Sequence, residues 1–108
     1  MPRLTTHVLD TARGAPAAGL RVLLRRAGES AVLAEAVTNA DGRISPLWDG
    51  PAGRYALEFH AGDYLRSTKA ALTDPPFLDR VPVEIALEQD SHVPLLLSPF
   101  GYSVYRGS

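Results

Sequence analysis

The sequence contains no cysteine. Disulfides, thiolate nucleophiles and cysteine-ligated metal centres are excluded at once. Long apolar runs are missing too: no stretch approaches the roughly 20 residues that cross a bilayer. The start, Met-Pro-Arg-Leu-Thr-Thr-His, places no apolar segment behind a basic end, so no secretory signal is expected. These absences predict a cytoplasmic chain with no membrane partner. Charge of one sign is not in excess: 11 Lys and Arg stand against 12 Asp and Glu, for a net charge of -1. Nothing electrostatic favours nucleic acid. Lysine is nearly absent, since all but one of the 11 basic residues are arginine. Guanidinium groups suit bidentate contacts to planar polar groups.

Several site types are missing as well. Ser103 lies in Gly101-Tyr102-Ser103-Val104-Tyr105, which lacks the second glycine of a nucleophile elbow. There is no glycine-rich phosphate loop. Neither His-x-His nor His-Glu-x-x-His occurs, which leaves metal ligation with little support.

What remains is a chain of 108 residues, sized for a single domain over 1–108 that buries about 65% of its unfolded surface. Apolar residues come in short runs broken by Gly, Pro, Asn and Asp, the pattern of an all-β sandwich. Strands are expected over 4–9, 20–26, 31–38, 44–47, 53–60, 81–87, 92–97 and 102–105. Leu4, Thr6 and Val8 should share one face of the first, and Thr5, His7 and Leu9 the other. Asn39-Ala40-Asp41-Gly42 reads as a tight turn with Arg43 directly after it. Pro46 should bend or cut its short strand. Pro94 cannot donate to a ladder, so it calls for an edge, a bulge or a strand start. Residues 61–71 hold the one short helix, stopped by Pro75-Pro76.

The candidates for chemistry are few. A histidine in a β domain is commonly structural, and His60 is given that role. His7 and His92 sit in strands otherwise rich in apolar residues, where an imidazole must find partners. Spacing alone does not bring them together. Arg43 follows a turn, where function concentrates, although a solvated surface cation is its plainer role. The polar ending Tyr105-Arg106-Gly107-Ser108 would, on composition, be a frayed end.

These segments carry a family resemblance in chain order. Leu4-Thr5-Thr6-His7-Val8-Leu9-Asp10-Thr11 with Gly14-Ala15-Pro16-Ala17 resembles the opening of the 5-hydroxyisourate hydrolases, the transthyretin-like enzymes. Thr38-Asn39-Ala40-Asp41-Gly42-Arg43 resembles their central turn, and Gly53-Arg54-Tyr55-Ala56-Leu57-Glu58-Phe59 their middle strand. His92-Val93-Pro94-Leu95-Leu96-Leu97-Ser98-Pro99 and Tyr105-Arg106-Gly107-Ser108 are similar to their closing signature. The terminal tetrapeptide is the most specific part, because it separates the enzymes from transthyretin carriers.

The resemblance implies a transthyretin-like (prealbumin-like) sandwich of two four-stranded sheets and one short helix. It implies a homotetramer, a dimer of dimers, with sites in a channel between dimers. The implied activity is that of a cyclic amide hydrolase in purine (urate) breakdown, converting 5-hydroxyisourate to 2-oxo-4-hydroxy-4-carboxy-5-ureidoimidazoline without a cofactor. The implied catalytic residues are His7, Arg43, His92 and Ser108; His7, Arg43 and Tyr105 would bind substrate. Many members read His-Tyr-His before the closing strand, and some of those are associated with metal. Here Asp90-Ser91-His92 stands instead, so no metal is expected. Pro75-Pro76-Phe77-Leu78 departs from a common Phe-Phe-Pro-like loop segment.

With no cysteine and no serine elbow, direct attack by water is expected rather than a covalent intermediate. Neutral imidazole suits the general base. His7 or His92 would serve, with His92 preferred, while the other orients the water or protonates the leaving nitrogen. Arg43 would hold carbonyl oxygens, and Tyr105 and Ser108 would close the pocket, Ser108 through the terminal carboxylate. Two other classes fit the fold. One is a non-catalytic transthyretin-like carrier. The other is a carboxypeptidase-regulatory-like structural module, which shares the Thr-x-x-Asp-Gly turn and the Gly-x-Tyr strand. The Tyr-Arg-Gly-Ser ending, with His7 and Arg43, separates the hydrolase from both.

Overall fold

A computed structural model describes residues 1–68, 70 and 72–107. In chain order the strands are β1 (Arg3–Asp10), β2 (Ala15–Pro16), β3 (Arg21–Arg26), β4 (Val32–Val37), β5 (Arg43–Asp49) and β6 (Gly53–His60). Helix α1 (Ala61–Ser67) follows, then β7 (Arg80–Leu87), β8 (Ser91–Ser98) and β9 (Gly101–Val104). The strands form two sheets. One runs β4-β3-β6-β7, antiparallel throughout. In the other, β8 lies between β1 and β9, while β5 and the two-residue β2 share the opposite edge of β1. That sheet is thus also four strands wide, as expected. β2 was not anticipated, since two residues carry no periodicity.

The alternation expected for the first strand is seen directly. Leu4, Thr6, Val8 and Asp10 are buried, and the residues between them are not. Tyr55, Leu57 and Phe59 project inward from β6 in the same way. Leu95 and Leu97 from β8 meet them in one core between the sheets. Leu95 is fully buried, so Leu95→Ala would cost about 2–5 kcal/mol.

Helix α1 stops earlier than the expected stretch 61–71. The Ser67 hydroxyl donates to the Tyr64 carbonyl and the Thr68 hydroxyl to that of Leu65. These side chains take carbonyls that a further turn would need, and Thr68 is extended. Of the expected helical stretch, Lys69 and Ala71 lie outside the described residues. The helix is tied to β1 by the buried Tyr64, whose hydroxyl donates to Asp10 Oδ2 at 2.8 Å.

The two strand prolines behave differently. Pro46 lies on β5, whose register against β1 shifts between Leu4 and Thr6. The strand bends there and continues to Asp49. Pro94 sits inside β8, paired with β1 on one side, while on the other β9 pairs only from Leu95 onward, which leaves it the local edge its missing donor calls for. Its carbonyl, and so its nitrogen, faces the tail, where Tyr105 N–H reaches the Pro94 oxygen at 3.4 Å. Since β9 ends at Val104, the missing donor falls where the ladder has already stopped.

Candidate active site

The site lies on the outer face of the sheet that holds β1 and β8. Residues Thr5, His7 and Leu9 point away from the core along β1. The parallel register with β8 sets Thr5 beside His92, His7 beside Pro94, and Leu9 beside Leu96. Paired residues in a sheet project to the same side. His7 and His92 are therefore diagonal neighbours, their rings stacked 6.0 Å apart with 22° between planes. The antiparallel register with β5 places Arg43 beside His7. On the far side of β8, Gly107 bridges to His92, its N–H donating to the His92 carbonyl at 2.8 Å.

Two rows of residues result. Arg43, His7, Pro94 and Tyr105 follow one another across the sheet, and Thr5, His92 and Gly107 form the next row. The tail is thus held by the sheet at Gly107 instead of fraying. Ser108, to which the family resemblance gives a role, lies outside the described residues.

The turn before β5 explains how Arg43 is held. Asn39 Oδ1 accepts from the backbone N–H groups of Asp41 and Arg43, at 2.9 and 3.0 Å. Gly42 has φ +73°, and a Cβ there would stand 2.5 Å from the Val8 carbonyl oxygen. Only glycine permits both the left-handed backbone and this approach. The Gly42 carbonyl in turn accepts from Val8 N–H at 2.8 Å. The turn docks on β1 next to His7 and delivers Arg43 there.

The electrostatics keep both imidazoles neutral. Partial burial, and then the charge of Arg43, pull the His7 pKa below the ordinary histidine value. His92 is lowered by burial first, then by Arg43, then by His7. His92 Nδ1 is hydrogen-bonded to Thr5 Oγ1 at 2.7 Å. Arg43 is exposed, and its side chain makes no ion pair with a described residue. A fixed cation and two neutral bases on one flat surface can receive a planar, oxygen-rich ligand and activate water against it.

The surface is open in the single chain. The indentation beside His92, bounded by Arg3, Thr5, Asp90 and Gly107, holds only about 180 Å³. A larger cavity of about 510 Å³ lies elsewhere, between Asp10, Arg13, Tyr64 and Pro99. Among the described residues, no group of three or more His, Asp or Glu side chains could hold a metal ion. Asp90 accepts from Arg3 N–H at 2.9 Å and closes the start of the β1–β8 pair.

Of the expected site residues, His7, His92 and Arg43 therefore come together, with Tyr105 beside them and 54% exposed. His60 lies apart from the site, its Nε2 2.7 Å from Glu58 Oε2, in keeping with a structural role. Thr5 was not singled out by sequence reasoning. Its place on the His7 face was legible from alternation, but its contact with His92 depends on a pairing across 87 residues.

Comparison with known proteins accords with this geometry. Residues 4–107 match the HIUase/Transthyretin family, and the chain belongs to it. A relative from Rhizobium meliloti (strain 1021), 5-hydroxyisourate hydrolase 2, is 55% identical over 98% of this chain and 96% of its own. The structure of Klebsiella pneumoniae 5-hydroxyisourate hydrolase superposes with a TM-score of 0.86 at 39% identity, covering 100% of both chains. A crystal structure of (S)-allantoin synthase gives a TM-score of 0.90 at 38% identity. There the match covers 99% of this chain and 44% of the other.

Proposed function

We propose that this protein is a 5-hydroxyisourate hydrolase of purine breakdown. The observation that carries this is the convergence of His7, His92, Arg43 and the tail at Gly107 on one open sheet face. The names of full-length relatives support it.

In the reaction, water adds to an activated ring amide. A neutral imidazole, His7 or His92, takes a proton as the water oxygen bonds to the carbonyl carbon. The lowered pKa values of both rings support this role, because each stays unprotonated at neutral pH. Arg43 stabilises the oxyanion. The other imidazole orients the water; the ring C–N bond then breaks, the nitrogen leaves with the proton that the base took from water, and the carboxylic acid formed loses its remaining proton to solvent as a carboxylate. No redox or group-carrying cofactor enters this balance. Tyr105 and Ser108 border the ligand.

The working form we propose is a homotetramer, a dimer of dimers, in which two copies of this face enclose the substrate in a channel. The openness of the face in the single chain supports this, as do its partly exposed outward residues Leu9 and Leu96. We place the protein in the cytoplasm; no helix among the described residues is long and apolar enough to cross a membrane.

The decisive experiment follows the ultraviolet spectrum of freshly generated 5-hydroxyisourate with and without the protein. Decay well above the spontaneous rate, tracking protein concentration, is expected. Decay at the spontaneous rate would refute the proposal.

A further inference from the structure

We infer that Thr5 is a positioning residue that fixes the His92 ring with Nδ1–H held by the Thr5 hydroxyl and Nε2 presented to the open face as the basic nitrogen. This rests on the hydrolase reading and assigns the base within it.

The two adjacent threonines of β1 do different things. Thr6 is fully buried, and its hydroxyl donates to the Val93 carbonyl at 2.7 Å. That bond belongs to the sheet. Thr5 lies on the outer face, and its hydroxyl meets a side chain, His92 Nδ1, at the same distance. Among the described residues this is the only hydrogen bond of the ring. With Nδ1 turned onto β1, Nε2 is the nitrogen left for a ligand or a water. A neutral ring acts as a base at Nε2 only when its proton is on Nδ1, and a hydroxyl oxygen can accept that proton's hydrogen bond. The threonine suits the task further because its branched Cβ is stiff in a strand.

The choice of a hydroxyl over a carboxylate also matters. His60, outside the site, meets the Glu58 carboxylate instead. Thr5 orients His92 without adding negative charge, so the neutral form survives near neutral pH. The charged and titratable groups around His92 are His7 on β1, Arg43 on β5, Arg3 and Asp90 beside the same indentation, and Tyr105 on the tail. Gly107 completes the clamp, since a Cβ there would stand 2.8 Å from His92 Cδ2.

The test compares wild type, Thr5→Val and Thr5→Ser. Thr5→Val keeps the shape and removes the acceptor. Its kcat should fall about tenfold, with KM changed less than about twofold; tenfold corresponds to 1.36 kcal/mol. Thr5→Ser should recover kcat to within about threefold of wild type. The hydrogen bond from Nδ1–H strengthens when the ring is charged, so its loss should move the acid limb of the pH profile to lower pH. Wild-type kcat and profile in Thr5→Val, or an acid limb moved upward, would overturn the proposal. Ring 15N spectra of the wild-type protein read the tautomer with no variant at all: Nδ1–H is expected, and Nε2–H would overturn it. A wild-type protein without turnover would instead sink the hydrolase reading itself.

Discussion

Arg43→Ala separates chemistry from stability at this site. The side chain is exposed and forms no ion pair with a described residue, while the turn is held by backbone bonds to Asn39 that alanine retains. A surface substitution of this kind stays within about 0.5 kcal/mol. For a domain of this size that is a Tm change of about 2–4 °C. Loss of one electrostatic contact to a developing oxyanion costs about 2.7–4 kcal/mol, or about 100- to 1,000-fold in kcat. A second signature follows from the pKa shifts. Burial and Arg43 both lower His7 and His92. Without Arg43, both values rise toward about 6.5, and the acid limb of kcat/KM moves to higher pH. Stability follows the same sign. Lowered folded-state values give a contribution fully present above about 6.5 and lost as pH falls through them, and the variant should lose less. Steady-state ultraviolet assays from pH 5 to 8, with thermal melts at each pH, measure all three effects. Equal losses of activity and stability, or an unmoved acid limb, would refute the reasoning.

Gly107→Ala should lower kcat by about tenfold with Tm nearly unchanged, because the new methyl meets His92 and Pro94 on the outer face rather than the core; kinetics beside a melt check this, and full activity would show that the tail yields freely. Gly42→Ala should destabilise the protein by at least about 1–3 kcal/mol, the cost of a left-handed non-glycine residue, with the approach to Val8 adding to it; a urea midpoint equal to wild type would contradict this. A tag fused after Ser108 should depress turnover far more than one placed before Met1, and equal tolerance of both would argue against a working tail.

The strands were largely legible because alternation is local. Tyr55, Leu57 and Phe59 fell on the inner face as their spacing required, and the Asp41-Gly42 turn appeared where its backbone chemistry predicted. The site was legible only in part. Alternation put His7 on the outer face of β1, but nothing local says that β1 and β8 run parallel side by side, and that pairing is what joins His7, Thr5 and His92. The tail read as a loose end for the same reason, since its anchor is the His92 carbonyl on another strand. Pro94 kept to its rule, since its nitrogen faces the side of β8 where β9 has already ended. Family resemblance supplied the grouping that periodicity could not.

The parallel union of β1 and β8 also fixes when the site can exist. Thr5 and His92 are 87 positions apart along the chain, and closing such a loop costs on the order of 4 kcal/mol in entropy. No fragment that lacks either β1 or β8 can bring the two imidazoles together, and topologies with such distant contacts fold slowly. Regained turnover after dilution from denaturant is therefore a late clock, started only when the two distant halves of the molecule have met.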